Sequence, residues 1–285
     1  MSVSALILTL NEEVNIARCL ESLRWCDDVV VLDSGSSDRT VTIAEAFGAR
    51  VVHRPFDDWS THQNWAGRNI PFKHRWVYYS DADEIVPEDL ASELIGAAAD
   101  VKSPNVAYRL RYKNIFQGRW IAHCGIYPVW VLRFFRPERV RWERSVNPIA
   151  VVDGSEGRLK SHFEHHSFSK GLEAWIDKHN RYSSLEAREA VAARIEGWPS
   201  LARLFSANPT VRRQILKHVG FLLPFRPTLR FAYMYLLRRG FMDGAPGFTY
   251  CRLLRMYEAM IDFKIREFAS DTTSSTTPVV HPQSL

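Results

Sequence analysis

The chain has 285 residues, is 46% hydrophobic and 24% charged, and carries 14 Gly and 14 Pro. Those proportions exclude a disordered, collagen-like or repeat-built protein. The net charge of +5 is unevenly spread: residues 1–100 hold 8 basic and 17 acidic side chains, whereas residues 201–268 hold 12 basic and 4 acidic. An acidic half beside a basic half argues against a nucleic-acid binder, and for a metal- or substrate-binding domain joined to a segment that meets an anionic surface.

The four cysteines, Cys19, Cys26, Cys124 and Cys251, form no C-x-x-C pair, so the expectation is neither a zinc site nor a disulfide framework, and a reducing compartment. Met1 to Leu10 lacks the basic leader of a signal peptide, and no run of about 18 uncharged apolar residues suggests a spanning helix. A cytoplasmic protein is expected.

In chain order, Ser4 to Thr9 reads as a buried parallel strand, with Asn11 capping a helix marked by Val14, Ala17, Leu20 and Leu23. Asp28 to Asp33 is a second strand, followed by the loop Ser34-Gly35-Ser36-Ser37-Asp38, a helix over Thr40 to Phe47 and a strand over Ala49 to His53. A polar stretch through Asp57, Trp59 and Asn69 leads to a strand over Trp76 to Ser80, which ends in Asp81-Ala82-Asp83-Glu84 before Pro87 opens another helix. This alternation predicts an α/β fold with a mostly parallel sheet. Val106 to Tyr112, Gly118 to Ala122 and Val129 to Phe135 read as short strands. From Ser169 the pattern turns helical, with Leu172, Trp175, Ile176, His179, Tyr182 and Leu185 as one apolar stripe. Further helices are expected around Leu201–Val219, Thr228–Gly240 and Phe248–Phe268, and a disordered tail from Ser270.

Ligands of open α/β sheets bind at the carboxyl ends of the strands. Three strands here end in polar clusters: Thr9 to Glu12, Asp33 to Asp38, and Ser80 to Glu84. Right-handed crossovers bring such ends to one edge, where three acidic clusters repel one another unless a cation or a hydrogen-bonding ligand sits among them. Asp81 and Asp83, two residues apart at a strand end, can both reach a hard divalent cation, which takes one or two carboxylates plus substrate phosphates. No glycine-rich phosphate loop is present. The implied ligand is a diphosphate met by metal and basic side chains.

Together, I-L-T-L-N-E-E, V-V-V-L-D-S-G-S-S-D-R-T and Y-Y-S-D-A-D-E, from Ser4 to about Glu84, closely resemble glycosyltransferase family 2 and its GT-A fold. Weaker similarity continues through Gly118–Trp120, Tyr127-Pro128, Arg133-Phe134-Phe135 and Lys178 to Ser183, and looks like the bacterial lipopolysaccharide-core and exopolysaccharide branch. The resemblance implies that Thr9, Asn11 and Glu12 line a nucleotide pocket. It further implies that Asp33 bonds the base, Ser34 and Asp38 shape that loop, Asp81 faces the ribose or sugar, and Asp83 binds Mg²⁺ or Mn²⁺ at the diphosphate, with Gln63 and Arg68 near the donor. Family members invert the anomeric centre with a carboxylate base. Many carry V-H-E after the R-L-F strand, but the matching stretch here is Val146-Asn147-Pro148. Glu143 and then Glu84 are the substitute catalytic carboxylates. His162, Glu164 and His166 share one face of a strand, a pattern of metal sites, yet hydrogen-bonded histidines at a domain seam are the favoured reading.

Apolar patches at Val219–Phe225 and Phe231–Leu237, flanked by Arg226, Arg230, Arg238 and Arg239, suit either a membrane interface or packing on the catalytic domain. The expected organisation is a nucleotide-sugar-binding half (1–105), acceptor-side strands (106–168), a helical basic extension (169–269) and a tail (270–285). The expected activity is inverting, metal-dependent transfer of a hexose from a nucleotide sugar, UDP-linked, to a cell-surface glycan or lipid-linked acceptor, in the cytoplasm or peripherally at the inner face of the plasma membrane. The alternatives are a nucleotidyltransferase and a non-catalytic membrane-docked scaffold retaining the fold.

Overall fold

The computed structural model describes residues 3–125, 127–144, 148–195 and 224–274. They fall into two units, one of Met1–Ala122 with Ile126–Ser169 and one of His123–Gly125 with Lys170–Leu285.

The first unit is built on a nine-stranded sheet. Strand β1 (Val3–Thr9) is buried along its whole length, as its unbroken apolar sequence requires. It pairs in parallel with β2 (Val29–Asp33) and with β4 (Trp76–Asp81), and β2 pairs in parallel with β3 (Arg50–His53). Beyond β4 the sheet becomes mixed. β8 (Trp130–Phe135) runs antiparallel to β4 and to β6 (Asn105–Phe116), β11 (Ser155–His165) runs parallel to β6, and β5 (Glu84–Ile85) closes the edge antiparallel to β11. The short β7 (Arg119–Trp120) pairs with β6 off this path, and β9 (Val140–Glu143) with β10 (Ile149–Val152) forms a separate hairpin. The α/β fold, with a parallel N-terminal half of the sheet, is as the sequence predicts.

Both faces of the sheet are covered. On one, α1 (Ile16–Glu21), α2 (Thr40–Ala46) and α4 (Glu88–Ala99) bury Ile16, Leu20, Ala44, Leu90 and Leu94 against Ile7, Tyr78 and Phe134. On the other, α3 (Trp59–Asn69) and the β9–β10 hairpin cover Leu6, Leu8, Val77 and Tyr79.

Two expectations are corrected here. The polar stretch before β4 is a helix, α3, opened by the Asp58 carboxylate, which accepts from the Thr61 N–H. Its buried face includes His62 and Gln63, so no apolar periodicity announces it. Asn11 does not cap a helix: it sits in the left-handed region at φ 54°, and the first helix begins after Asn15.

In the second unit, α5 (Gly171–Ile195) packs on α7 (Gly244–Ser274) through Ala187, Ala190, Ile261 and Ile265. The expected stripe on α5 is not its buried face: Trp175 is buried, but Leu172 and Leu185 are 52% and 51% exposed. Small residues let the two helices approach, and Lys264 Nζ on α7 donates to Asn180 O and Ser183 Oγ on α5 at 2.6 and 2.8 Å. Helix α6 (Arg226–Ala232) continues into a π-helical turn at Tyr233–Leu237, and Arg226 and Arg230 clamp the buried Glu258 of α7. The expected helix over 201–219 and residues 219–223 of the apolar patch lie outside the described residues. Helix α7 runs to Ser274, past the expected start of the tail, whose remainder also lies outside them. The four cysteines are buried free thiols.

Candidate active site

Register fixes the site. Thr9 is paired with Asp33 across β1–β2, and Leu8 with Asp81 across β1–β4. Asp33 and Asp81 therefore stand at the same carboxyl edge, two strand spacings or about 10 Å apart.

Asp33 is 1% exposed, and its carboxylate accepts four hydrogen bonds. Thr9 Oγ1 (3.0 Å) and Ser36 Oγ (2.5 Å) reach Oδ1, while the Gly35 and Ser36 N–H groups, both at 2.9 Å, reach Oδ2. Gly35, at φ +95°, supplies the turn that aims those amides. Burial works to raise the carboxyl, but the donors, Ser36 foremost, outweigh it and hold Asp33 below the usual carboxylate range. Four donors fill the four lone-pair positions of a carboxylate, so any further donor has to displace one of them.

The neighbouring predicted residues brace this rim. Asn11 Oδ1 accepts from the Ser37 N–H, and its own N–H donates to Ser36 Oγ. The Glu12 N–H donates to Thr40 Oγ1, and the Glu12 carboxylate accepts from Asn15 Nδ2. Asp38 accepts from the Glu13 and Thr40 N–H groups, pinning the loop to the start of α2. Ser34 Oγ lies 3.4 Å from His62 Nε2, and Arg54 donates to His62 Nδ1 at 2.6 Å. Burial first, and then the Arg54 charge, lower the His62 pKa, which favours the neutral ring.

At the end of β4, Arg133 of β8 joins the acidic cluster. Its Nη2 donates to Asp81 Oδ2 at 2.6 Å and to Glu84 Oε1 at 2.5 Å, while its guanidinium lies 4.6 Å from the Tyr79 ring centroid. The Tyr79 hydroxyl donates to Asp81 Oδ1 at 3.3 Å and accepts from Gln63 Nε2 at 3.0 Å. Glu84 is 1% exposed and accepts from the Asp81 N–H. Burial outweighs the Arg133 charge and pushes its carboxyl up to about 7. Buried there, Glu84 bonds the Asp81 N–H and the Arg133 guanidinium behind Asp81. Asp83 faces β11, with Oδ2 3.3 Å from His165 Nε2 and its carbonyl accepting from the His166 N–H. Burial works to lower His165, but the Asp83 hydrogen bond and the nearby carboxylates raise it.

Among the described residues, no group of three or more His, Cys, Asp and Glu side chains is arranged to hold a metal ion alone. The donor set nevertheless fits a hard divalent cation of the Mg²⁺ or Mn²⁺ type. Such ions take one or two carboxylates with an occasional imidazole and complete their shell from substrate phosphates. Asp83 and His165 with Asp81 nearby supply that share.

Gln63 and Arg68 lie elsewhere. They line a cleft of about 450 Å³ under α3, walled by Trp142 and Arg141 of the hairpin, which none of Asp33, Asp81 and Asp83 lines. Gln63 touches the rim only through Tyr79. Glu143 is exposed on β9 and pairs with Arg141 at 2.9 Å. The stretch of the missing V-H-E motif lies largely outside the described residues. His162 bonds Tyr127 and His166 bonds Glu164.

The sequence reading assigned no role to Arg133, His165 or Tyr79. Arg133 had a visible signal, a lone cation within the apolar strand W-V-L-R-F-F.

Comparison with known proteins matches residues 4–163 to the family described as Glycosyl transferase family 2. The chain belongs to that family. A curated relative, the lipopolysaccharide core biosynthesis glycosyltransferase LpsC of Rhizobium meliloti, is 26% identical over 201 residues, which cover 67% of this chain and 72% of that protein. An uncharacterized glycosyltransferase of Rickettsia felis is 37% identical over 286 residues, with 92% of each covered. Among solved structures, glucosyl-3-phosphoglycerate synthase from Mycobacterium tuberculosis, in complex with Mn²⁺, uridine-diphosphate and glucosyl-3-phosphoglycerate, is 27% identical at a TM-score of 0.33. That match covers 39% of this chain and 44% of the synthase, less than half of either. TarS 1–349 from S. aureus covers 97% of this chain and 92% of its own at 14% identity and a TM-score of 0.41. This protein is therefore a glycosyltransferase, and the nucleotidyltransferase reading falls.

Proposed function

We propose that this glycosyltransferase moves a hexose, with inversion, from a UDP-linked donor to a hydroxyl of a cell-surface glycan or lipid-linked acceptor in lipopolysaccharide or exopolysaccharide synthesis. The observation that carries this reading is the shared edge: the saturated Asp33 at one end, and Asp81 and Asp83 two strands away. The two strand spacings, about 10 Å, set a place for the base apart from one for the phosphates.

Asp33 takes the base by exchanging the Ser36 hydroxyl for a base N–H, leaving its two backbone donors in place. Thr9, Asn11, Glu12, Ser34 and Asp38 keep the pocket's shape through the bonds described above. Asp81, locked by Arg133 and Tyr79, is oriented toward the ribose or sugar before substrate arrives, so little ordering remains at binding. Asp83, with His165 and Asp81, would hold a Mg²⁺ or Mn²⁺ ion, whose contribution when bound is to neutralise the departing diphosphate. Glu143 is the exposed carboxylate of the two considered for deprotonating the acceptor hydroxyl. Family resemblance to the lipopolysaccharide-core enzyme supports the acceptor class.

No described helix is long and apolar enough to cross a membrane. The second unit supports peripheral attachment to an anionic bilayer at the inner face of the plasma membrane. Phe225 is 81% and Leu237 76% exposed, and Leu229, Tyr233, Leu236, Phe241 and Met242 are also exposed, next to exposed Arg238 and Arg239. Large apolar side chains interleaved with arginines suit an acyl boundary below lipid phosphates.

The test is transfer from UDP-sugars with Mn²⁺ present, paired with thermal shift by UDP. Asp83→Ala is expected to lose at least 100-fold in kcat/KM and to lose the Mn²⁺-dependent part of the UDP shift. Unchanged turnover in that variant overturns the assignment.

A further inference from the structure

Away from the rim, β6, β7, β8 and β11 gather cations and aromatic rings on one face. The Arg111 guanidinium of β6 lies 5.1 Å from the Trp130 ring centroid, and Arg158 of β11 lies 4.9 Å from the same ring. Lys113 Nζ is 5.2 Å from the Trp120 ring. The Tyr127 hydroxyl meets His162 Nε2 at 2.6 Å, and Arg111 also approaches the Tyr127 ring. Strand alternation separates this group from Tyr112, which stacks on Phe163 and meets the His165 ring edge-on.

None of Arg111, Lys113 and Arg158 has an ion-pair partner among the described residues. Glu164, register partner of Lys113, turns to His166 instead. Arg111 donates to the Lys160 carbonyl, but its buried Nε and the buried Trp120 Nε1 have no hydrogen-bond partner. Burial first, and then the Arg111 and Lys113 charges, lower the His162 pKa, against the Asp89 and Glu93 carboxylates of α4, which raise it. Ring faces attract cations without neutralising them, and a half-buried cation lacking a counter-charge is costly. The missing element is an anion.

The geometry points to a subsite for an anionic sugar, one carrying a carboxylate or a phosphate, held by Arg111, Lys113 and Arg158 beside Trp120 and Trp130. Naming that sugar as part of the acceptor rests on the glycosyltransferase reading above; the anion preference does not. Aromatic rings take the apolar faces of a pyranose while the cations take its charge, so a neutral glycan gains only the first of these.

The full chain is titrated with glucuronic acid, glucose 6-phosphate and glucose, followed by tryptophan fluorescence, with thermal shift by UDP and Mn²⁺ run in parallel. A saturable response to a charged sugar with none to glucose is expected, and Lys113→Gln is expected to weaken it at least ten-fold. Arg111→Gln is expected to do the same, but Arg111 is partly buried, so the half-exposed Lys113 keeps the test open if that variant misfolds. A response to one charged sugar alone distinguishes phosphate from carboxylate. Equal responses to charged and neutral sugars, wild-type binding in Lys113→Gln, or loss of the UDP shift in that variant each overturn the proposal; the last would give these cations to the donor diphosphate. A wild-type protein that binds charged sugars through Lys113 but shows no UDP shift sinks the donor reading and leaves the subsite standing.

Discussion

Arg133→Met tests whether the acidic rim is held by a buried charge. The Arg133 side chain is 12% exposed and bonds two carboxylates, Asp81 at 2.6 Å and Glu84 at 2.5 Å. Methionine keeps much of the volume but leaves Glu84, 1% exposed, without its counter-charge. Removing one partner of a buried ion pair costs about 3–5 kcal/mol, chiefly for the charge left behind. At roughly 2–4 °C per kcal/mol for a unit of this size, the melting point is expected to fall by roughly 6–20 °C. Glu84→Gln alone leaves Arg133 with Asp81 and is expected to cost less. The double variant, Arg133→Met combined with Glu84→Gln, no longer buries an unpaired charge at that point and is expected to recover at least half of the Arg133→Met loss. The interaction with the Tyr79 ring, worth about 0.5–2 kcal/mol, is not recovered. The assay is urea unfolding of the three variants against wild type at pH 8, where the Glu84 charge is largely present. The coupling energy is expected to exceed about 1 kcal/mol. Additive losses refute the reasoning, since they mean that Arg133 and Glu84 stabilise the rim independently.

Asp33→Asn is expected to flatten the acid limb of stability. The folded carboxyl lies below its ordinary value of 3.8, so its contribution is full above that pH and is lost as pH falls through the folded value. Melting points from pH 5 to 2 should therefore converge for wild type and variant at the acid end, and parallel curves would refute this. Ser36→Ala is expected to bind UDP as tightly as wild type or up to about 5-fold tighter, because one hydrogen bond of about 1 kcal/mol no longer has to be exchanged; calorimetric titration showing a ten-fold loss contradicts the displacement model. Leu237→Glu, beside the exposed Arg238 and Arg239, is expected to abolish flotation with vesicles containing anionic phosphatidylglycerol while leaving the melting point within about 2 °C. Flotation equal to wild type would remove the membrane assignment.

The parallel half of the sheet was legible because its signals are local. Val3–Thr9 and Val29–Asp33 are apolar runs that end in polar turns, and those turns carry the residues that meet at the rim. Helix α3 was not legible. Its mean composition is polar, and its buried face is made of His62, Gln63 and Ala66, where His62 meets Ser34 and Arg54 and the Gln63 Nε2 donates to Tyr79, while the buried Gln63 Oε1 has no partner among the described residues. The stripe on α5 misleads for the opposite reason: large residues at helical spacing point to one face, while Ala187 and Ala190 make the close helix contact. The sheet edge at β5 and β11 joins residues about 80 apart in sequence, and no local pattern announces such a pairing.

Arg133 marks the boundary between these cases. A charge inside W-V-L-R-F-F and a Glu directly after D-A-D are each anomalous, because a buried ion needs a partner. Chain order leaves the partner of each unspecified; the antiparallel pairing of β8 with β4 supplies it, across 52 residues to Asp81 and 49 to Glu84. The consequence is functional as well as structural. One guanidinium both compensates a buried carboxyl and fixes the orientation of Asp81, so the rim cannot lose that cation without loosening the aspartate it presents. A charge that is anomalous in its own strand is for that reason a pointer to the site, and its partner is to be sought among carboxylates at the ends of neighbouring strands.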